Sequence, residues 1–150
     1  MRKWIDMPPV WLAGFLALAW MQAAYLPMGL GFGGGWADLA GGLLVGGGIL
    51  LIVLAAAEFR RHRTTIVPHR EAERLIRSGI FSRSRNPIYL GDSLILAGLI
   101  LRWDAVLALP LIPVFVWIIE KRFILPEEDR LRRKFRMDYA QYCEKTRRWV

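Results

Sequence analysis

The sequence is poor in the side chains that hold metal ions or form disulfides. Among its 150 residues are one cysteine, Cys143, and two histidines, His62 and His69. A single thiol cannot form an internal disulfide, and two histidines alone do not complete the four-coordinate site that zinc prefers. We therefore expect no metal.

Nucleic-acid-binding motifs are missing as well, although the net charge is +8. No zinc-finger, helix-turn-helix or RNA-binding pattern accompanies that charge, so no nucleic acid partner is expected. All but one of the 21 Lys and Arg residues lie in three segments, 2–3, 60–85 and 121–148. The positive-inside rule is satisfied when all three are cytoplasmic. This predicts a multi-pass protein of the inner (plasma) membrane with both termini in the cytoplasm, and a basic surface that attracts anionic headgroups.

Charged residues are absent from two long stretches, residues 7–32 and 39–57, and 55% of the sequence is apolar. Each stretch is close to the roughly 20 residues that cross about 30 Å of hydrocarbon. The first stretch has no small-residue cleavage site, so it is predicted to be a retained anchor and not a secretory signal.

Hydropathy predicts an all-α integral membrane fold with four hydrophobic helices, the last two forming a hairpin. The third is the shortest, and its length of about 22 Å is small for a full crossing. A glycine pair, Gly42 and Gly46, is predicted to let another helix approach the second one closely. The expected segments of this single membrane domain are a helix pair (1–58), a basic cytoplasmic connector (59–86), the hairpin (87–125) and, after Pro126, an amphipathic cytoplasmic helix (126–150).

The first motif with possible chemistry is the run from Arg85 to Asp92, with Asn86-Pro87 at its start and Tyr89 inside it. Asn is a favoured N-cap and Pro a favoured first helical residue, so the motif can simply begin a helix. The same geometry offers unpaired N–H groups to an anion beside Arg85. Asp92 is either solvated at the interface or turned into a polar cavity shared with Tyr89.

The second motif is the acidic run Glu127-Glu128-Asp129 after Pro126. Acidic residues in a first turn can simply stabilise a helix start. A helical wheel at about 100° per residue, however, places Glu128 within the apolar arc and Asp129 opposite it, with Glu127 at the edge. The arc is formed by Leu131, Phe135, Tyr139 and Tyr142. A carboxylate on that face needs a cation, either a ligand ammonium or an Arg of the protein.

The ordered set of motifs from about Leu75 to Trp149 resembles the isoprenylcysteine carboxyl methyltransferase superfamily, which includes phospholipid methyltransferases. Many members have His at the position of Asn86, and others, including the phospholipid methyltransferases, have Asn. Phe135 is usually followed by Gly, where this sequence has Arg136. The matching pieces are Ser78-Gly79-Ile80-Phe81, Arg85-Asn86-Pro87-x-Tyr89-Leu90-Gly91, Gly98, Glu127-Glu128-x-x-Leu131-x-x-x-Phe135-x-x-x-Tyr139-x-x-Tyr142 and Arg147-Arg148-Trp149.

The resemblance implies an S-adenosylmethionine-dependent methyltransferase whose cofactor lies at the cytoplasmic end of the last two hydrophobic helices. It also implies a membrane lipid or lipidated acceptor that enters sideways from the bilayer. An amine acceptor must lose a proton, for which Asp92 beside Tyr89 is the candidate group. Carried over by position, the cofactor-binding residues are Arg85, Asn86, Tyr89, Glu127, Glu128, Tyr139, Tyr142 and Arg147.

Two other functions are compatible with parts of the sequence. A sterol-type reductase has a similar Arg-rich, Tyr-containing C-terminal region and binds a nicotinamide cofactor, but such enzymes are usually much longer, and the Glu127-Glu128 pair argues against it. A non-catalytic membrane assembly protein could keep the same fold without turnover. Cofactor binding separates all three.

Overall fold

The computed structural model describes residues 7–26, 29, 31–32, 34–61 and 75–149. Every regular element in these residues is helical, which confirms the all-α prediction. Residues 62–74 of the predicted connector, with both histidines, lie outside the described residues. The elements are α1 (Pro8–Tyr25), α2 (Gly35–Arg61), a 3₁₀ turn (Gly79–Ser82), α3 (Pro87–Arg102), a second 3₁₀ turn (Val106–Ala108), α4 (Leu111–Ile119), a π-helical segment (Glu120–Ile124) and α5 (Leu125–Lys145).

Helices α2 and α3 cross at two pairs of facing glycines, Gly48 with Gly91 and Gly41 with Gly98. The two pairs lie about two helical turns apart. A Cβ atom built on Gly91 of α3 would lie 2.6 Å from the carbonyl oxygen of Gly48 in α2. One built on Gly98 would lie 2.5 Å from the carbonyl oxygen of Gly41. No side chain fits between the two backbones at these points. This is the close approach that small residues allow between helices in lipid.

The predicted role of Gly46 in this packing is wrong. A Cβ atom on Gly46 would meet nothing within 4 Å, and one on Gly42 would meet only the Arg102 side chain, at 3.2 Å. Because α2 contains several glycines, their spacing within α2 alone does not identify the face that contacts α3. That face is selected by the seven-residue spacing of Gly91 and Gly98 on the partner helix.

Helices α1 and α4 pack on the other side of α3. Phe15 of α1 and Phe115 of α4 meet edge to face, with ring centroids 5.4 Å apart, and both are buried. Burying large aromatic rings in this way stabilises a helix interface strongly. The same core contains Leu96 and Ile100 of α3 and Ile119 of α4.

The outer faces of the helices are apolar. A helix on the surface of a soluble protein carries polar and charged residues there, so these faces suit contact with lipid. Of the described helices, α2, with 27 residues, is both long and apolar enough to cross a membrane. The four-span arrangement stays a prediction, because α3 has 16 residues and α4 only nine. Large exposed apolar side chains include Leu18 and Met21 (α1), Leu39, Leu43, Leu50 and Val53 (α2), and Val114 and Trp117 (α4).

Pro126 lies in the first turn of α5. Helical structure nevertheless continues from α4 through the π-helical segment into α5, so these helices follow one another without an intervening loop. Proline inside a helix removes a hydrogen bond and clashes with the carbonyl one turn earlier. The π-helical segment, in which the N–H of Leu125 donates to the oxygen of Glu120, widens the helix just before the ring and accommodates it.

The real change of direction comes at Arg136, where α5 is kinked. Its backbone angles are φ +44° and ψ −110°, outside the helical range. Only glycine adopts a positive φ without steric cost. The bend therefore lies at the position where the resembling family usually has glycine, although this chain carries arginine there.

Replacing Arg136 by glycine is expected to stabilise the protein. A residue held in a sparsely populated region of backbone space costs about 1–3 kcal/mol, which glycine relieves. For a chain of this size each kcal/mol corresponds to about 2–4 °C in Tm. Thermal unfolding in detergent, followed by circular dichroism, measures the shift.

The matched control is Met137→Gly, at the exposed helical position that follows. Glycine inside a regular helix is less favourable by about 1 kcal/mol, so this variant should melt at a lower temperature. If Arg136→Gly is destabilised as much as Met137→Gly, the kink carries no strain.

Candidate active site

The end of α2 fixes the 3₁₀ turn that precedes α3. Glu58 is buried and accepts a hydrogen bond from the hydroxyl of Ser78 at 2.8 Å. Gly79 has φ +60°, and a side chain there would collide with the Glu58 carboxylate. Phe59 also packs edge to face on Phe81, with centroids 5.5 Å apart. These contacts hold the turn in place and so position the Arg85 motif that follows it.

Arg85 lies between the start of α3 and α5. Its Nη1 donates to Sγ of Cys143 at 2.9 Å and to the hydroxyl of Tyr139 at 3.4 Å, and it lies 3.7 Å from Oε2 of Glu128. Its Nε is buried and has no hydrogen-bond partner among the described residues. An unsatisfied buried donor is costly, so this nitrogen has the capacity to bind an acceptor from a ligand.

Asn86 occupies the N-cap position of α3, but its side chain does not cap the helix. Its Nδ2 instead donates to the backbone oxygen of Arg148 at 2.9 Å. The structure thus agrees with a helix start at Asn86-Pro87, and it gives the Asn86 side chain a tertiary contact that helix capping does not explain.

Tyr89 and Glu127 meet across the junction of α3 and α5, where the tyrosine hydroxyl donates to Oε2 of Glu127 at 3.0 Å. They lie at the polar end of a pocket of about 240 Å³, next to Arg85 and Asn86, and the rest of its wall is apolar. Because helices α1, α2, α3 and α5 all contribute, the N-terminal half takes part in the site. The lining residues are Met7, Pro8, Pro9, Phe59, Phe81, Arg85, Asn86, Pro87, Ile88, Tyr89 and Glu127.

The helical wheel predicted the orientations of Glu128 and Asp129 correctly. Glu128 is 6% exposed, whereas Asp129 is exposed and pairs with Arg132 at 3.4 Å. The cation that meets Glu128 is an arginine of the protein, Arg148. Its Nε and Nη2 donate to the two carboxylate oxygens at 2.7 and 2.9 Å, and its Nη1 donates to Glu120 at 2.9 Å.

Tyr139 and Tyr142 are buried in the second part of α5 and lie behind the pocket, not in its wall. The hydroxyl of Tyr142 donates to the backbone oxygen of Phe81 at 2.6 Å, which attaches α5 to the 3₁₀ turn. Burial raises the pKa of both tyrosine hydroxyls above the ordinary value, so both remain protonated donors.

Two other predicted site residues lie outside the pocket wall. Asp92 is 4% exposed and follows Tyr89 by one turn of α3; its Oδ2 has no hydrogen-bond partner in the part of the chain that the structure describes. The side chain of Arg147 is exposed, and its backbone oxygen accepts from the N–H of Arg85 at 3.0 Å. The structure therefore brings together Arg85, Asn86, Tyr89 and Glu127 most directly.

Sequence reasoning missed Arg148 and Glu120. Arg148 stands in the closing motif beside Arg147, and nothing local distinguishes two neighbouring arginines. Glu120 did carry a signal, because an acidic residue at the end of the apolar run of α4 requires a partner. The apolar wall contributed by Met7 and Pro8 could not be located without the packing of α1.

A family model for phospholipid methyltransferases matches residues 36–138. This match covers most of α2 and all of α3 and α4, and it extends into α5. The chain belongs to the phospholipid methyltransferase family, which indicates a membrane methyltransferase. No curated protein and no solved structure matches it.

Proposed function

We propose that the chain is an S-adenosylmethionine-dependent methyltransferase that acts on a membrane lipid or lipidated acceptor at the cytoplasmic face of the inner membrane. The observation that carries this proposal is the pocket itself. It joins an apolar wall from α1, α2 and α3 to a polar end made by Arg85, Asn86, Tyr89 and Glu127. A lipid chain and a charged, polar cofactor need these two environments side by side.

The polar end suits the amino-acid part of S-adenosylmethionine, which is a zwitterion. The unpartnered, buried Nε of Arg85 can donate to its carboxylate. The Glu127 carboxylate, already oriented by Tyr89, can accept from its ammonium. In this proposal the remaining predicted residues do not touch the cofactor but hold Arg85 and Asn86 in place through the contacts described above. They are Glu128, Tyr139, Tyr142 and Arg147.

The cofactor, when bound, supplies a methyl group already activated on a sulfonium. The protein would have to align the acceptor with that methyl and exclude water from the pocket. A carboxylate acceptor needs no base, whereas an amine releases a proton. We propose Asp92 for that step, together with Tyr89, which precedes it by one turn of α3 and lines the pocket.

The acceptor is proposed to enter from the bilayer, because Met7 and Pro8 at the start of α1 and Ile88 of α3 form an apolar wall between two helices. Turnover should therefore depend on the surface concentration of acceptor. Adding inert lipid to mixed micelles at constant total acceptor should slow methylation. The experiment follows labelled methyl groups from S-adenosylmethionine into extracted lipid at increasing dilution.

Two outcomes would contradict the proposal. Methylation of a small hydrophilic compound at a rate unaffected by lipid dilution, with blank lipid extracts, would exclude lateral entry. Binding of a labelled nicotinamide cofactor in place of S-adenosylmethionine would favour a reductase, and a folded protein that binds neither would favour an assembly role.

The basic residues that follow α4 support the proposed cytoplasmic orientation. Lys121 and Arg122 are exposed directly after the apolar run, and the Arg122 guanidinium lies 5.2 Å from the centroid of the Trp11 ring. Arg and Trp together are typical of the membrane–water boundary. Anionic headgroups are the proposed partners of this surface.

A further inference from the structure

The segment after α5, residues 146–149, crosses the start of α3 and is called here the closing segment. Its backbone oxygens at Arg147 and Arg148 accept from the N–H of Arg85 at 3.0 Å and from Nδ2 of Asn86 at 2.9 Å. Trp149 packs against the helical core. The positions of Arg85 and Asn86 therefore depend on where this segment lies.

Among the described residues of the closing segment, Arg148 is the only one whose side chain forms an ion pair. It joins Glu120 in the π-helical segment to Glu128 in α5 through hydrogen bonds of 2.7 and 2.9 Å to Glu128 and 2.9 Å to Glu120. A two-pronged contact of this kind to a buried carboxylate is among the strongest side-chain interactions. The hydrogen bonds to Glu128 also raise the pKa of the Arg148 guanidinium, which therefore stays charged.

The two acidic neighbours face different ways. Both carboxylate oxygens of Glu128 are engaged by Arg148, and Glu128 does not line the pocket. Glu127 does line the pocket and meets Tyr89 there. A cationic ligand in the pocket can reach Glu127 without breaking the contact between Glu128 and Arg148.

We propose that Arg148 is a positioning residue of the site. Its ion pairs with Glu128 and Glu120 hold the closing segment against Arg85 and Asn86, and they leave Glu127 as the carboxylate that meets a cationic ligand. The first part concerns the folded chain alone. The second part rests on the proposed function.

Hydrogen exchange tests the first part without any cofactor. In Arg148→Ala, the amide of Arg85 should exchange about tenfold faster or more, because its acceptor lies on the released segment. The exchange rate in Arg148→Lys should lie between those of Arg148→Ala and the unmodified protein, because lysine keeps the charge but cannot form two parallel hydrogen bonds to a carboxylate. Lys145→Ala, which removes an exposed cation just before the segment, is the matched control and should exchange like the unmodified protein. Equal exchange in Arg148→Ala and Lys145→Ala would overturn the proposal.

Binding of S-adenosylmethionine tests the second part by a double-mutant cycle. Glu128→Gln and Arg148→Ala should each weaken binding about tenfold. The double variant should bind no more weakly than either single variant, because both substitutions remove the same contact. Glu127→Gln should weaken binding while the Arg85 amide stays protected, and Asp129→Asn should change neither. If the effects of Glu128→Gln and Arg148→Ala add, Glu128 contacts the ligand itself and this part is wrong. If the unmodified protein does not bind S-adenosylmethionine, the proposed function fails, and the exchange experiment still decides the role of Arg148.

Discussion

Replacing Gly91 by leucine is expected to separate α2 from α3 and to leave little folded protein. Even the Cβ atom would lie 2.6 Å from the carbonyl oxygen of Gly48, and that oxygen belongs to backbone that cannot rotate away. Overpacking a tight interface costs about 1–3 kcal/mol and sometimes more, and a whole leucine side chain at a backbone contact lies at the upper end. Yield after size-exclusion chromatography in detergent and thermal unfolding measure the effect.

The control for this prediction is Gly46→Leu on the same helix pair. Gly46 is exposed, and its added Cβ would meet nothing within 4 Å. Leucine is also a better helix former than glycine by about 0.5–1 kcal/mol, so this variant should fold as well as the original or better. Equal yields and melting temperatures for the two leucine variants would mean that α2 and α3 are not held together at the glycine pairs.

Replacing Arg85 by alanine is expected to weaken S-adenosylmethionine binding about tenfold to a hundredfold. Charge-assisted hydrogen bonds to a buried ligand contribute roughly 1.5–3 kcal/mol, and Arg85 supplies the buried, unpartnered donor of the pocket. Arg85→Lys should retain only part of the affinity, because lysine has the charge without the planar set of donors. Isothermal titration in detergent compares the variants.

Arg83→Ala is the matched control for Arg85→Ala, since Arg83 is an exposed arginine two residues earlier at the end of the 3₁₀ turn. It should bind the cofactor like the unmodified protein. Arg85 also contacts Cys143 and Tyr139, so melting temperatures are recorded to separate a loss of binding from a loss of fold. Unchanged affinity in a folded Arg85→Ala variant would remove Arg85 from the cofactor site.

Local signals explain why some helix starts can be predicted. Pro8 and Asn86-Pro87 mark the starts of α1 and α3, because proline is favoured in a first helical turn and disfavoured later. Pro126 also lies in a first helical turn, that of α5, but it does not separate α5 from the helical structure before it. There the π-helical segment removes the clash that would otherwise end the helix, and the sequence contains no simple sign of it.

The candidate site shows the same division between local and long-range information. The burial of Glu128 and the exposure of Asp129 follow from helical phase, which extends over only a few residues. The partner of Glu128 could not be predicted, because Arg148 lies beyond the kink at Arg136 and next to a second arginine. The contact of Asn86 with the closing segment likewise depends on tertiary packing, whereas the capping rule describes only the chain around Asn86.

The contact between Cys143 and Arg85 makes the unmodified protein its own chemical probe. Cys143 is the one cysteine in the sequence, and its sulfur lies 2.9 Å from the guanidinium of Arg85, which lines the pocket. A maleimide or a fluorine-bearing alkylating reagent can therefore attach a reporter beside Arg85 without an engineered cysteine. Because the sequence has one cysteine, the label is attached at Cys143 alone. Because the sulfur lies so close to Arg85, a group attached to it is expected to displace α5 from Arg85. Thiol-alkylating reagents should therefore be left out of any buffer used to measure methyl transfer.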